Sequence, residues 1–250
     1  MIEIKDLCVG YGKKSVFEGL CVSFEQGKLT SVIGTNGCGK STLLKSMLGI
    51  IPMFDGNISI DGEDLSCLKR SEIAKKISYL SQGRSIPDMT VEQMVLLGRF
   101  PYLDYPRRYG KKDRDIAFAA MERLGIEEIS DTPLYALSGG MRQNVYIAMA
   151  IAQNTDYILL DEPNTYLDIA HQLELMRILR ELAEGGKGII AVMHDLPMAF
   201  DFSDSVAIID EKKIAIQGDP KEICFSSQIE RIFGVSLKCS DGKYSYFYGE

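Results

Sequence analysis

The run Gly34-Thr35-Asn36-Gly37-Cys38-Gly39-Lys40-Ser41-Thr42 leaves this chain few folds to choose from. It fits the phosphate-loop pattern GxxxxGK[ST], and its flanks have the character such a loop needs. Before it, Leu29-Thr30-Ser31-Val32-Ile33 is a short apolar run bounded by glycines, which predicts a buried strand. After it, Leu43, Leu44, Met47, Leu48 and Ile50 recur at helical spacing, with Gly49 and Pro52 marking the end. In such a strand–loop–helix unit the glycines let successive N–H groups turn inward toward phosphate oxygens. The helix N-terminus adds unpaired donors and the positive end of a dipole. Lys40 supplies a full charge at the β- and γ-phosphates of ATP, and Ser41 offers a hydroxyl to Mg²⁺. Cys38 stands at a variable position, where a small side chain is sufficient.

The rest of the chain alternates in keeping with that unit. Ile2 to Phe24 reads as two strands around a Gly10-Tyr11-Gly12 turn, and Gly56–Gly62 carries hairpin chemistry. Ile77-Ser78-Tyr79-Leu80 predicts another strand, and Thr90-Val91-Glu92-Gln93 has the form of a capping box opening a helix through Leu97. The Pro-, Tyr- and Arg-rich stretch Phe100–Gly110 predicts a loop, and 113–124 and 139–153 predict helices. Tyr157–Leu160 and Gly188–Met193 predict buried strands on either side of an amphipathic helix, Ile169–Ala183, with Asp195 capping the helix that follows. Val206–Ile209 and Lys213–Ile216 resemble a closing hairpin. Strand–helix–strand alternation implies an α/β fold with a mainly parallel sheet, and no linker-like segment divides residues 1–250.

With 28 basic and 35 acidic residues the net charge is −7, which argues against nucleic acid or an anionic membrane as the main partner. No apolar run approaches the roughly 20 residues that span a bilayer, and the N-terminal segment lacks the features of a signal peptide. Six scattered cysteines and two histidines, without a CxxC pair, predict reduced thiols and no zinc site.

Two further motifs carry chemistry. Asp161-Glu162 follows the strand Tyr157–Leu160, at the end where ligands of open α/β sheets gather. Asp161 is placed to hold Mg²⁺, and Glu162 to act as general base on the attacking water. Leu137-Ser138-Gly139-Gly140-Met141-Arg142-Gln143 opens an apolar helix, with Ser138 as a good N-cap. The same hydroxyl and exposed N–H groups can form a second phosphate cradle.

In this order the motifs resemble those of the ATP-binding subunits of ATP-binding-cassette (ABC) transporters. Tyr11 matches the adenine-stacking aromatic, Gly34–Thr42 the Walker A loop, and Gln82 the Q-loop. Leu137–Gln143 matches the signature, Ile158–Glu162 Walker B, Thr165–Asp168 the D-loop, and His194 the switch histidine. The resemblance spans roughly residues 1–225. It implies a P-loop NTPase (RecA-like) core with an N-terminal antiparallel β lobe and an inserted helical lobe at about 88–152. It implies a head-to-tail homodimer, with ATP between the Walker loop of one copy and Ser138, Gly139 and Gly140 of the other. His194 would contact the γ-phosphate, Gln82 would serve the metal and the reaction, and Asp168 would communicate across the interface. Asn144 and Met149 stand where the family commonly carries basic residues, and Asn164 where Thr is usual.

The same resemblance implies a separate integral-membrane permease, with this subunit peripheral at the cytoplasmic face of the membrane. Thr90–Tyr102, and Thr165 to Gln172, look like the bacterial importers of iron–siderophore, haem and cobalamin chelates. A zinc or manganese importer is the neighbouring reading. A soluble non-transport ABC ATPase and an unrelated P-loop kinase are the remaining alternatives. The tail, residues 226–250, carries Tyr244-Ser245-Tyr246-Phe247-Tyr248, which fits either a terminal strand or a contact surface.

Overall fold

The structure, a computed structural model, describes residues 1–83 and 86–247. β1 (Ile2–Tyr11) and β2 (Lys14–Phe24) form a hairpin, and β3 (Leu29–Gly34) runs through the glycine loop into α1 (Lys40–Ser46). β4 (Met53–Ile60) and β5 (Glu63–Asp64) meet at the Asp61-Gly62 turn, and α2 (Arg70–Lys76) leads into β6 (Ile77–Leu80). Three helices follow: α3 (Val91–Leu96), α4 (Lys111–Arg123) and α5 (Gly139–Ala152). Then come β7 (Tyr157–Asp161), α6 (Ile169–Glu184), β8 (Gly188–Val192), α7 (Leu196–Phe202), β9 (Ser205–Asp210) and β10 (Lys213–Gly218). The tail holds α8 (Pro220–Cys224), α9 (Gln228–Phe233) and the strands β11 (Ser236–Ser240) and β12 (Lys243–Phe247).

Among the described residues the central sheet has six strands in the order β10-β9-β3-β8-β7-β6. Its pairs are parallel apart from β10, which returns antiparallel to β9 as the predicted closing hairpin. Every residue of β3, β7 and β8 is buried, as expected of strands covered on both faces. The two-residue period of a strand divides β7 between two cores. Tyr157 and Leu159 face α1 and the antiparallel sheet β2-β1-β4-β5. Ile158 and Leu160 face α3, α5, α6 and α7.

The three helices between β6 and β7 pack on one another. The capping box at the start of α3 is present in both halves: Gln93 N–H donates to Thr90 Oγ1 at 3.3 Å, and Thr90 N–H to Gln93 Oε1 at 3.0 Å. One local expectation is corrected. The segment from Phe100 does not begin as a loop, because a 3-10 turn runs over Leu97–Tyr102. Gly98 permits it, since a Cβ there would overlap the Met149 carbonyl of α5.

The tyrosine-rich tail is a strand as far as Phe247, while Tyr248 lies outside the described residues. β12 docks on α7: Tyr244 meets Phe200 edge-on at 5.4 Å, and its N–H donates to Asp201 Oδ1 at 2.9 Å. The Tyr246 hydroxyl accepts from Leu196 N–H at 3.2 Å.

Tyr157, with no exposed surface, reaches from β7 to donate its hydroxyl to Asp61 Oδ1 at 2.6 Å, tying the two sheets together. Burial pulls the Asp61 carboxyl up, but hydrogen bonds from the N-terminal ammonium and Tyr157 outweigh it and hold the group below its ordinary value. Tyr157→Phe is expected to lose about 1.5–3 kcal/mol in urea unfolding at neutral pH, the range for a bond to a charged acceptor. A depressed folded carboxyl stabilises above its unfolded value of about 3.9, and that contribution is lost as pH falls through the folded value. The gap between parent and variant should therefore narrow in acid, and equal midpoints at neutral pH would refute the assignment.

Candidate functional site

The glycine loop is shaped from two sides. β3 delivers Gly34, where a Cβ would stand 2.5 Å from the Ile209 carbonyl of β9 and 2.7 Å from Cys38 Sγ. Gly39, at φ 109°, leads directly into α1 in a conformation that L side chains rarely adopt. A Cβ at Gly39 would lie 2.6 Å from Phe17 Cζ and 2.9 Å from Val16 Cγ1, so the N-terminal hairpin forms a shelf under the loop. Lys40 is only 7% exposed, and its Nζ donates to the carbonyls of Gly34 at 2.8 Å and Thr35 at 3.1 Å. Cys38 is buried, with N–H donated to the Thr35 carbonyl at 3.3 Å, and burial pushes its thiol up.

The loop borders a cleft of about 670 Å³. Asn36, Gly37, Gly39, Lys40, Ser41 and Thr42 line one wall, and Gln82, Glu162 and His194 come in from three other loops. Glu162 turns the chain at the end of β7 with φ 54°, a left-handed conformation that costs a non-glycine residue about 1–3 kcal/mol. Its carboxylate is held on both oxygens: Gln82 Nε2 donates to Oε2 at 2.6 Å, and His194 Nε2 lies 2.6 Å from Oε1. A carboxylate fixed in this way at the edge of a phosphate loop can accept a proton from water at the terminal phosphate.

Asp161 is almost fully buried beside it. Burial raises its carboxyl, which Glu162 reinforces, while the hydroxyls of Ser41 and Tyr79 pull it down. Its Oδ1 is buried without a hydrogen-bond partner. An orphaned carboxylate oxygen next to a hydroxyl suits a hard cation that takes its other ligands from water and phosphate. A cage of three or more His, Cys, Asp or Glu side chains is absent among the described residues, and such a site does not require one.

Other candidates lie elsewhere. Gly139, Gln82, Asp161 and Glu162 line a neighbouring cleft of about 450 Å³, with Arg142, Gln143 and Tyr166. Ser138 and Asp168 line neither cleft. Each caps a helix: Ser138 Oγ accepts from Met141 N–H at 3.2 Å, and Asp168 Oδ1 from His171 N–H at 3.0 Å. The two segments nevertheless meet, because Tyr166, 81% exposed, packs on Gly139. Tyr11 ends β1 with more than half its surface exposed and does not line the main cleft, whereas Val16 does. Val16 and Phe17 escaped the sequence reading because two apolar residues in a strand carry no signal of what they support. Met149 packs partly buried against the helical core.

The chain is similar to known proteins in sequence and in fold. The family model described as ABC transporter matches residues 17–165. The chain is 41% identical to the ferric enterobactin transport ATP-binding protein FepC of Escherichia coli (strain K12), over 94% of this chain and 87% of that protein. It is 39% identical to the iron(3+)-hydroxamate import ATP-binding protein FhuC of Bacillus subtilis (strain 168), over 95% and 89%. Among solved structures, a metal-chelate type ABC transporter in an inward-facing conformation superposes with a TM-score of 0.84 at 25% identity, covering 99% of this chain and 97% of that one. A dimeric bacterial ABC transporter cassette gives 0.79 at 25% identity, covering 88% and 99%.

Gly39→Ala places a methyl group on the Val16–Phe17 shelf and demands a left-handed alanine. Binding of a fluorescent ATP analogue should weaken by at least about tenfold while the circular dichroism spectrum stays that of the parent. Unchanged affinity would show that the shelf does not shape the loop.

Proposed function

The chain belongs to the ABC transporter family as an ATP-hydrolysing subunit, and we propose that two copies share each nucleotide, powering a permease that imports chelated iron. The observation that carries the catalytic part is the Glu162 carboxylate, gripped by Gln82 and His194 within the cleft that also holds Lys40.

In this reading residues 1–250 are one nucleotide-binding domain with a helical lobe at about 88–152. The loop Gly34, Thr35, Asn36, Gly37, Cys38, Gly39, Lys40, Ser41 and Thr42 takes the ATP phosphates, and Lys40 exchanges its two loop carbonyls for phosphate oxygens. Tyr11 stacks on the adenine from the hairpin rim. Ser41, Asp161 and Gln82 hold Mg²⁺, which neutralises charge on the phosphates when bound. Glu162 takes a proton from the attacking water while His194 contacts the γ-phosphate and keeps the carboxylate oriented. Ser138, Gly139 and Gly140 close over the nucleotide from the second copy, head to tail, and Asp168 makes contact across the same interface. Support for two copies comes from Ser138 and Asp168 lying outside the cleft of their own chain, and from the dimeric cassette that shares this fold.

No helix among the described residues is long and apolar enough to cross a membrane. The subunit sits peripherally on its permease at the cytoplasmic face, with the region following Gln82 as the docking surface. Relatives named for ferric enterobactin and iron-hydroxamate support a ferric siderophore as the cargo.

Glu162→Gln should retain ATP binding and slow hydrolysis by about 10²–10⁴-fold, the range for loss of a general base. Near-parent turnover would take Glu162 out of that role. In proteoliposomes containing the permease, ATPase activity should exceed that of the isolated chain, with uptake of a ferric siderophore and not of Mn²⁺ or Zn²⁺. Rates indifferent to the permease would overturn the transport reading.

A further inference from the structure

Arg99 follows α3 in the segment that resembles a docking surface, yet it faces inward and is 5% exposed. Its Nε donates to Asp113 Oδ1 of α4 at 3.2 Å. Its Nη1 donates to the carbonyls of Ala152 at 2.9 Å and Gln153 at 3.2 Å, where α5 ends. The guanidinium carbon lies 4.1 Å from the centre of the Tyr102 ring. Burying a cation is costly, and here the cost is met by a carboxylate, two carbonyls and an aromatic face. The last carbonyls of a helix lack intrahelical partners and carry the negative end of its dipole, so Arg99 is also the C-terminal cap of α5.

Gln153 carries the joint to the central sheet. Gln153 Nε2 donates to Ala74 O at 2.6 Å and Ile77 O at 3.2 Å, at the start of the strand that leads to Gln82. Asp113 uses its second oxygen on the N–H of Gly110, at 3.0 Å, at the start of α4. The α5 helix is 14 residues long, about 21 Å, and its far end is Ser138.

We propose that Arg99 is a positioning residue for the signature. By fixing the last turn of α5 to α4 and to the 3-10 turn, it sets the angle at which Ser138–Gly140 meets nucleotide bound to the second copy. Movement of the helical lobe then reaches the signature through one rigid helix. The planar fork is required, because a lysine cannot serve Asp113 and two carbonyls together while lying flat on Tyr102. The assignment rests on the two-copy site proposed above.

The test uses the full chain with Glu162→Gln, which prolongs the ATP-bound state. Sedimentation velocity reads ATP-driven dimerisation of this parent and of its Arg99→Lys and Asp113→Asn derivatives. Binding of a fluorescent ATP analogue to the monomer is read alongside. Arg99→Lys should raise the ATP concentration for half-dimerisation by about 10- to 100-fold, the range for losing a hydrogen bond to a charged group. Asp113→Asn should shift it less, in the same direction, and analogue affinity should stay at the parent value in both. Parent-like dimerisation of both variants overturns the proposal, as does an equal loss of analogue affinity, which would mark a general structural role. If Arg99→Lys shows no cooperative melt, Asp113→Asn decides by the same criteria. A parent that stays monomeric with ATP overturns the two-copy site as well, whereas failure of the variants' prediction alone leaves that site standing.

Discussion

Parallel hydrogen bonding among β3, β6, β7 and β8 governs where chemistry can occur in this molecule. The registers Ser31↔Ala191, Leu160↔Ala191 and Leu80↔Leu160 bring the C-terminal ends of all four strands to one edge. Each strand then leaves its last residue or the next few at that edge, where the ladder ends. From β3 come the glycine loop and Lys40; from β7, Asp161 and Glu162. β8 leads to His194 and β6 to Gln82. A one-residue slip of any strand would exchange its two core faces and withdraw its polar residue from the cleft.

That edge holds groups whose requirements differ. Lys40 is buried yet supplied with two carbonyls, and Glu162 is engaged on both oxygens. Asp161, by contrast, keeps a buried oxygen without a partner. Left-handed backbone at both Glu162 and Tyr166 bends the chain sharply after β7. In consequence Tyr166 lies against Gly139, and the Tyr166 carbonyl and the Leu167 side chain against Gly140, within van der Waals reach of a Cβ at either position.

What the sequence made legible was local. The phosphate loop, the capping box at Thr90 and Gln93, and the Asp161-Glu162 pair lie within a few residues, and their spacing contains the geometry. The alternation of strands and helices was equally plain, because uniform burial of β7 and β8 leaves an unbroken apolar run. Contacts between distant segments were not legible. Nothing near Tyr157 announces Asp61, 96 residues away, and nothing in the tail announces that Tyr246 meets Leu196. Arg99 is the sharpest case: a basic residue among Pro and Tyr reads as solvated, and Asp113, the Tyr102 ring and the end of α5 together draw it inside.

The shelf beneath Gly39 bears on how tolerance to substitution is distributed along the chain. Val16 and Phe17 are hydrocarbon side chains of the N-terminal hairpin, yet Phe17 is wholly buried and its ring sets the floor of the glycine loop. Selection on ATP turnover would therefore constrain β2 at these two positions as tightly as the loop itself. A map of mutational sensitivity coloured onto the chain would show a catalytic island made partly of hydrocarbon.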